Sequence, residues 1–232
     1  AGTDVVDAIA KVKTGTRGEL NVGTGYSMRT GGWGDFAVSR YMRDYRTLVE
    51  NCGAVPRTGV FYANVAYTYK RPVAEMFMSA TLGYNRSHGN LMTDMSIDGG
   101  RYTLMTVRRG WQQDAVSAKA VVSKGFFSLH LKTKLALQYT FGTGRQLSEG
   151  ELTGYASSAL QASPEVVFTP GFGMFTYRAT FTLNRMKTDG MGRNSLFDWK
   201  QSLAYPQTIG RVDITAAAVH YRNELQQGAT VS

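Results

Sequence analysis

The sequence predicts an all-β protein, an antiparallel transmembrane β-barrel whose successive strands lie side by side as a meander. Three observations predict it: alternation of apolar and polar residues, many glycine and aromatic residues but few prolines, and connections of two lengths. The clearest alternation runs from Leu129 to Phe141, with leucine and aromatic residues opposite histidine, lysine and glutamine. Period two is the pattern of a strand with one apolar and one polar face. At about 3.3 Å per residue the segment spans about 40 Å, which suits a tilted membrane strand.

The same alternation recurs along the chain. It is found in five further segments: Glu19 to Arg29, Val60 to Lys70, Met76 to Asn85, Phe175 to Asn184 and, more weakly, Val212 to Tyr221. We expect about ten strands in one β-barrel segment that spans residues 1–232, with the weakest pattern between Gly31 and Thr58. No repeat of solenoid or propeller length appears.

The predicted connections fall into two classes. Four segments marked by proline or glycine predict tight turns: Lys70 to Glu75, Lys124 to Phe127, Thr169 to Phe172 and Tyr205 to Thr208. Four polar segments predict longer links: Ser87 to Asn90, Asp98 to Gly100, Gly142 to Glu151 and Lys187 to Asn194. Outer-membrane barrels alternate short periplasmic turns with longer extracellular loops, so this arrangement favours such a barrel.

Composition and charge exclude several function classes. The net charge is +9, but the basic residues are scattered, without the basic helix or dense run that nucleic-acid binding would favour. No uncharged apolar run is long enough for a transmembrane helix. Cys52 stands alone, and His88, His130 and His220 lack the spacing of metal ligands, so we expect no disulfide, no metal and no cofactor.

No catalytic residues are expected, and the chain is predicted not to be an enzyme. Ser87 and His88 are adjacent, and adjacent residues of a strand point to opposite faces, so their side chains cannot pair directly as nucleophile and base. The glycine-rich segments GTGYS and GGWGD lack the lysine of a phosphate-binding loop. Turn glycines explain them better.

Several segments resemble a known family. They are Tyr45-Arg46-Thr47, the turn that contains Tyr67, Tyr69, Arg71 and Pro72, the apolar triplet Met76-Phe77-Met78, and GELTGY from Gly150 to Tyr155. Together they resemble the later, C-terminal-side barrel region of TonB-dependent outer-membrane receptors of the Bacteroidetes type. The resemblance implies a barrel of about twenty-two strands, filled by an N-terminal plug domain, that imports a bulky nutrient with energy delivered by TonB.

The chain departs from that family in two respects. It contains no plug domain and no TonB-contacting segment, and its end, HYRNELQQGATVS, lacks the aromatic-ended final strand of such barrels. Its start, AGTDVVDAIAKVKTG, also lacks the pattern of a signal peptide. The missing signal peptide predicts either a mature protein or a piece of a longer one. The two departures from the family favour an internal or C-terminal-side fragment of a receptor barrel.

Two groups of residues are candidates for function. Ligand contact is expected from residues of predicted loops and strand ends: Trp33, Arg108, Arg109 and Trp111. An aromatic ring on a loop can stack on a sugar, although it can also pack under its own loop. The second group is expected to face the lumen, where it would contact the plug, line the ligand's route or simply be solvated: Lys132, Lys134, Arg178, Asp198 and Lys200. Trp199 is expected to face lipid.

These observations together predict part of a TonB-dependent transporter in the bacterial outer membrane. Its expected partners are outer-membrane lipid, the remaining barrel strands, the plug domain and, through the plug, TonB. Two alternatives remain open. One is a self-contained small barrel that acts as a porin, an adhesin or an outer-membrane enzyme. The other is a soluble β-sandwich that binds carbohydrate, in which the apolar faces would be buried against a second sheet.

Overall fold

The computed structural model describes residues 2–32, 40–171, 173–190, 192–209 and 212–228. Within them the chain forms fourteen strands that belong to one sheet. In chain order these are β1 Gly2–Thr14, β2 Gly18–Thr30, β3 Arg40–Met42, β4 Thr47–Glu50, β5 Arg57–Arg71, β6 Met76–Gly89, β7 Met92–Asp98, β8 Arg101–Val107, β9 Trp111–Phe126, β10 Leu131–Ser148, β11 Glu151–Phe168, β12 Phe175–Thr188, β13 Gly192–Ile209 and β14 Val212–Gly228. No helix in the described ranges has the length and apolar character needed to cross a membrane.

Ten long strands form a continuous antiparallel path. Their order is β1-β2-β5-β6-β9-β10-β11-β12-β13-β14, so each strand pairs with the long strands before and after it in the chain. The predicted fold class, an all-β antiparallel meander, is confirmed. The sheet is not closed: in the part of the chain that the structure describes, β1 and β14 each pair on one side only.

The two ends of this sheet differ. At one end, which we call the turn end, the long strands are joined through residues 15–17, 72–75, 127–130 and 169–174. Two of these connections are single 3₁₀ turns, Pro72–Ala74 and Phe127–Leu129. Each is followed by a residue with left-handed backbone, Glu75 at φ 45° and His130 at φ 49°. The opposite end, the loop end, carries the four short strands β3, β4, β7 and β8.

Several predicted boundaries are wrong. The strand expected from Leu129 begins at Leu131, because Phe127–Leu129 is the turn and His130 has a positive φ that ends the extended backbone. His130 therefore belongs to the turn and not to the polar face of a strand.

The other errors concern connections, and one of them is Ser87 to Asn90, whose first three residues belong to β6. Tyr205 to Thr208 is not a turn, since Pro206 lies inside β13 opposite Thr215 of β14. Gly142 to Glu151 is not a long loop, because β10 continues to Ser148 and only Glu149 and Gly150 connect it to β11. Both residues have positive φ, 53° and 79°, which is the geometry of a tight two-residue hairpin turn.

The strand register sorts side chains onto two faces. Directly paired residues of antiparallel strands point to the same face. One such row crosses seven strands and is apolar throughout: Val65, Leu82, Ala118, Tyr139, Leu160, Leu183 and Phe197. The neighbouring row on the other face is mostly polar: Ala66, Thr81, Lys119, Gln138, Gln161, Thr182 and Asp198. We call these surfaces the apolar face and the polar face.

The apolar face is not covered by a second layer. Of the described residues other than glycine, those with buried side chains are Met92, Leu147, Ala179 and Thr188. Leu82 is 61% exposed and Leu160 is 47% exposed, although both lie in the apolar row. Apolar side chains that would form the core of a water-soluble protein are thus exposed along one face of this sheet.

Candidate functional site: the two faces of the sheet

The apolar face forms a band of limited height. It runs from Met76 to Tyr84 in β6, from Leu131 to Phe141 in β10 and from Phe175 to Leu183 in β12, with only apolar residues and Thr133 at every second position. Each stretch is about nine to eleven residues long, which is the length of a tilted strand that crosses the hydrocarbon core of a bilayer. Beyond the band on the same face, charged residues such as Arg86 and Arg185 begin.

Aromatic rings gather at the turn end of this band. Phe175 stacks on Tyr205 with ring centroids 4.6 Å apart, and Phe168 lies 6.5 Å from Phe175 on its other side. Tyr67 and Tyr69 of β5 also lie on the apolar face near the turn end. An aromatic ring has an apolar body and, in tyrosine, a polar tip, so it suits the boundary between hydrocarbon and water.

A second group of aromatic residues lies nearer the loop end. Phe61 and Tyr84 are 6.3 Å apart, and Tyr26 stacks on His88 at 6.2 Å. Trp199 lies on the apolar face, as the sequence predicts, and stacks on Phe181 at 5.7 Å. Aliphatic and small residues fill much of the surface between the two aromatic groups. Membrane barrels have the same arrangement, with an aromatic girdle on each side of an apolar band.

A polar cluster borders the band at the loop end. The carboxylate of Asp114 accepts hydrogen bonds from the hydroxyl of Tyr84, from Nε of Arg86 at 2.9 Å and from the amide of Gln112 at 3.0 Å. All four residues lie on the apolar face. Sequence reasoning missed this cluster because its members are dispersed over two strands, and only the register brings them together.

The predicted lumen residues lie on the polar face. Lys132 and Lys134 of β10, Arg178 of β12, and Asp198 and Lys200 of β13 all share it. Arg178 forms an ion pair with Glu165 at 3.1 Å, and Asp198 accepts hydrogen bonds from the side chains of Tyr221 and Asn223 at 3.0 and 2.6 Å. The polar face is therefore a charged, hydrogen-bonded surface.

A hollow of about 410 Å³ opens on this face at the turn end. Lys132, Lys134 and Glu165 line it together with Glu75, whose carboxylate lies over the bare backbone of Gly125. The sequence did not point to either glutamate. Glu165 lies in β11, where serine and alanine occur on both faces and hide the alternation, and Glu75 lies in a turn.

The predicted ligand-contacting residues do not form one site. Trp33 lies outside the described residues. Arg108 and Arg109 are exposed in the connection between β8 and β9. Trp111 is the first residue of β9, and its ring lies over Gly89 on the polar face. Trp111 is also among the residues that line a hollow of about 650 Å³, together with His88 and Arg145 of the apolar face. Arg108 and Arg109 are not among the residues that line this hollow.

The four short strands form a small extension of the sheet at the loop end. β7 pairs in parallel with the last residues of β10, Asp94 lying opposite Leu147, and both Met92 and Leu147 are buried there. The carboxylate of Asp94 also accepts a hydrogen bond from the backbone N–H of Gly150 at 3.0 Å. In the connection between β3 and β4, the backbone N–H of Arg46 bonds to Asp44 at 2.9 Å and lowers the pKa of that carboxyl.

Metal-binding clusters are not found in the described ranges: no group of three or more histidine, cysteine, aspartate or glutamate residues could hold an ion there.

Comparison with known proteins gives structural matches only. No protein-family model and no curated protein matches the chain. Over 97% of its length the fold is similar to 42% of the chain of a ferric enterobactin receptor mutant from Pseudomonas aeruginosa, with 9% identity and a TM-score of 0.48. Over 96% of its length it is similar to 83% of the β domain of the Bordetella autotransporter BrkA, with 9% identity and a TM-score of 0.36. The chain thus spans less than half of the receptor.

Proposed function

We propose that this sheet is part of the wall of a β-barrel in the bacterial outer membrane, with the apolar face against lipid and the polar face towards the lumen. The observation that carries the proposal is the apolar row from Val65 to Phe197, which is continuous over seven strands and in which Val65, Leu82, Tyr139 and Leu160 are exposed. In water such a surface would be unfavourable by about 25 cal/mol for each Å² of apolar area left uncovered. Acyl chains would cover it at no such cost.

The soluble sandwich is disfavoured by the same surface. A sandwich buries its apolar residues between two sheets about 10 Å apart. In the described chain there is one sheet, and Leu137 and Tyr177 are 41% and 37% exposed.

Within the barrel class, we propose a wall segment of a TonB-dependent transporter of about twenty-two strands that imports a bulky nutrient. The charged polar face supports this proposal. A plug domain that fills the lumen and also moves would contact the barrel wall through polar groups. The unpaired outer edges of β1 and β14 also support it, since no strand edge can remain unpaired in hydrocarbon and further strands would pair with both. The sequence resemblance to such receptors points the same way.

Tryptophan fluorescence in lipid vesicles tests the placement of the two faces. In the full-length protein with Trp199 as the sole tryptophan, lipids brominated along their acyl chains should quench the emission strongly, because the ring lies on the apolar face. A matched variant with Trp111 as the sole tryptophan should be quenched weakly, since that ring lies on the polar face. Equal quenching of the two, or none of Trp199, would contradict the membrane placement.

A self-contained barrel of ten strands is the second candidate. The specific observation that favours it is that β1 and β14 each have one free edge and run antiparallel to each other, so that they could close the sheet. Ten strands lie within the range of known outer-membrane barrels.

Cysteine cross-linking separates the two candidates. Ala8→Cys combined with Ala216→Cys or Ala218→Cys places thiols at small apolar-face positions of β1 and β14. In a larger barrel these strands are not neighbours, so oxidation should produce no disulfide, which requires Cα atoms within about 7 Å. The positive control is Val22→Cys with Val65→Cys, directly paired between β2 and β5. A bond between β1 and β14 as efficient as the control would establish the ten-strand barrel.

A further inference from the structure

Two aromatic side chains of the polar face lie across glycines of neighbouring strands near the loop end. Trp111 of β9 is paired with Gly89 of β6, and a Cβ added to that glycine would lie 2.7 Å from Cε2 of the indole. Tyr155 of β11 is paired with Gly144 of β10, where an added Cβ would lie 2.8 Å from Cζ of the phenol ring. Each ring therefore occupies space that only a glycine leaves free.

This position lays the rings down on the sheet. Strand side chains ordinarily stand roughly perpendicular to the sheet. Trp111 and Tyr155 instead lean sideways over the backbone of the next strand, and both are half-buried. One side of each ring is thus covered by the protein, and the other side is open towards the space above the polar face.

The two rings lie within reach of one extended ligand. They cover β6 and β10, which are two strand spacings or about 10 Å apart, and they are offset along the strands by about 7 Å. Between them the pairing of β9 with β10 ends at Asp114 and Thr143. Gly89, Trp111 and Gly144 all line the hollow of about 650 Å³ that opens where this pairing stops.

The strand residues around the two rings on the polar face are uncharged from β5 to β12, except for Glu151 at the tip of β11. Asp114 and Arg145, which also line the hollow, belong to the opposite face. The charged part of the polar face, with Lys132 and Lys134, lies towards the turn end. Near the rings the polar face offers amide and hydroxyl groups: Asn85, Ser87, Gln113, Ser117, Thr140, Gln146, Thr153, Ser157 and Asn184.

We propose that Trp111 and Tyr155 form a stacking platform for an uncharged oligosaccharide on the wall of the lumen. One face of a pyranose ring carries mainly C–H bonds, which suit the electron-rich face of an aromatic ring. Its hydroxyl groups both donate and accept hydrogen bonds, as do the amide and hydroxyl side chains around the platform. The assignment rests on the proposed function, which turns the polar face to the lumen, and it names the class of nutrient.

Binding of uncharged hexasaccharides of glucose, xylose and mannose to the full-length protein in detergent tests the platform. Trp111→Ala and Tyr155→Ala should each weaken binding by about tenfold, because each removes one stacking contact. Trp111→Tyr keeps an aromatic ring and should restore most of the affinity. The control Phe77→Ala removes an aromatic ring from the turn end of the same face and should leave binding within about twofold of the wild type. Unchanged affinity in both ring variants, or a wild type that binds none of these sugars, would overturn the proposal.

A glycine substitution tests the position of the ring separately from its presence. The methyl group of Gly89→Ala would displace the indole of Trp111, so sugar binding should fall about as far as in Trp111→Ala. Gly83→Ala is the matched control on the same strand and face, because its methyl group would meet only the hydroxyl of Ser117, which can rotate away. Resistance of the folded barrel to detergent denaturation checks that each variant folds. Wild-type affinity in a folded Gly89→Ala variant would overturn the platform geometry, and Trp111→Ala decides the matter if that variant does not fold.

Two comparison ligands test the ligand class. Hexagalacturonate, a sugar chain with a carboxylate on every unit, should bind no better than the uncharged sugars, and binding of this ligand alone would overturn the assignment to uncharged sugars. Adenosine offers a flat base, and ring-dependent binding of adenosine in place of the sugars would overturn the sugar assignment. The lipid quenching of Trp199 and Trp111 keeps the two proposals distinguishable. The expected quenching without ring-dependent sugar binding refutes the platform alone, whereas equal quenching refutes the placement of the two faces.

Discussion

Replacing Leu135 with arginine is expected to lower the free energy of unfolding in lipid vesicles by about 2–4 kcal/mol. Leu135 lies on the apolar face near the middle of the band in β10, opposite Val122 of β9 and Pro164 of β11. Its side chain is 42% exposed, so lipid would contact it directly. An arginine there places a charge in hydrocarbon, too far from either interface to extend fully into water.

The next residue supplies the control for this substitution. Ala136 lies on the polar face, opposite Val121 and Ser163, so Ala136→Arg adds the same side chain at the same height but towards the lumen. We expect a change of less than about 1 kcal/mol in denaturant titrations of vesicle-bound protein. Equal costs for the two variants, or a wild type that folds as a monomer in water without lipid, would favour a sandwich over a membrane wall.

The alternation of side chains made much of this arrangement predictable. In β10 and β12, residues at every second position share a face whatever the neighbouring strands do, so the common face of Lys132, Lys134 and Arg178 follows from local geometry. Periodicity does not report backbone dihedral angles, however. No glycine in the sequence signals the positive φ of His130, so the alternation predicts a strand that begins two residues too early.

The pairing between distant segments was not predictable from local pattern. β7 joins the tip of β10 through a parallel contact between residues more than fifty positions apart, Asp94 and Leu147. The Asp114 cluster and the Arg178–Glu165 pair likewise depend on which residues lie opposite each other. A one-residue shift in register would separate each group, and single-sequence patterns do not specify register.

The positions of two prolines show how the hydrogen-bonded sheet accommodates residues that have no backbone N–H. The sequence predicts a turn at Pro206, but this residue lies within β13 and is paired with Thr215. Pairing with β12 stops at Ala204, so at Pro206 the strand has a neighbour on one side only. Pro164 in β11 lies where pairing with β12 is interrupted between Ala162 and Glu165. Both prolines therefore occupy local edges, where the sheet requires no donor from them.

The same reasoning predicts a large effect for a proline at a fully paired position. Ala120 of β9 pairs with Ala80 of β6 on one side and Leu137 of β10 on the other, within the apolar band. Ala120→Pro removes a ladder donor and leaves a carbonyl unpaired where the proposed hydrocarbon surroundings offer no water. The expected loss is about 3 kcal/mol or more of unfolding free energy in vesicles. Ala120→Val keeps the N–H and suits a strand, so it should change stability by less than about 1 kcal/mol. Equal stability of the two variants would mean that β9 is not paired with both β6 and β10 in surroundings without water. That result would contradict the proposed lipid-facing barrel wall.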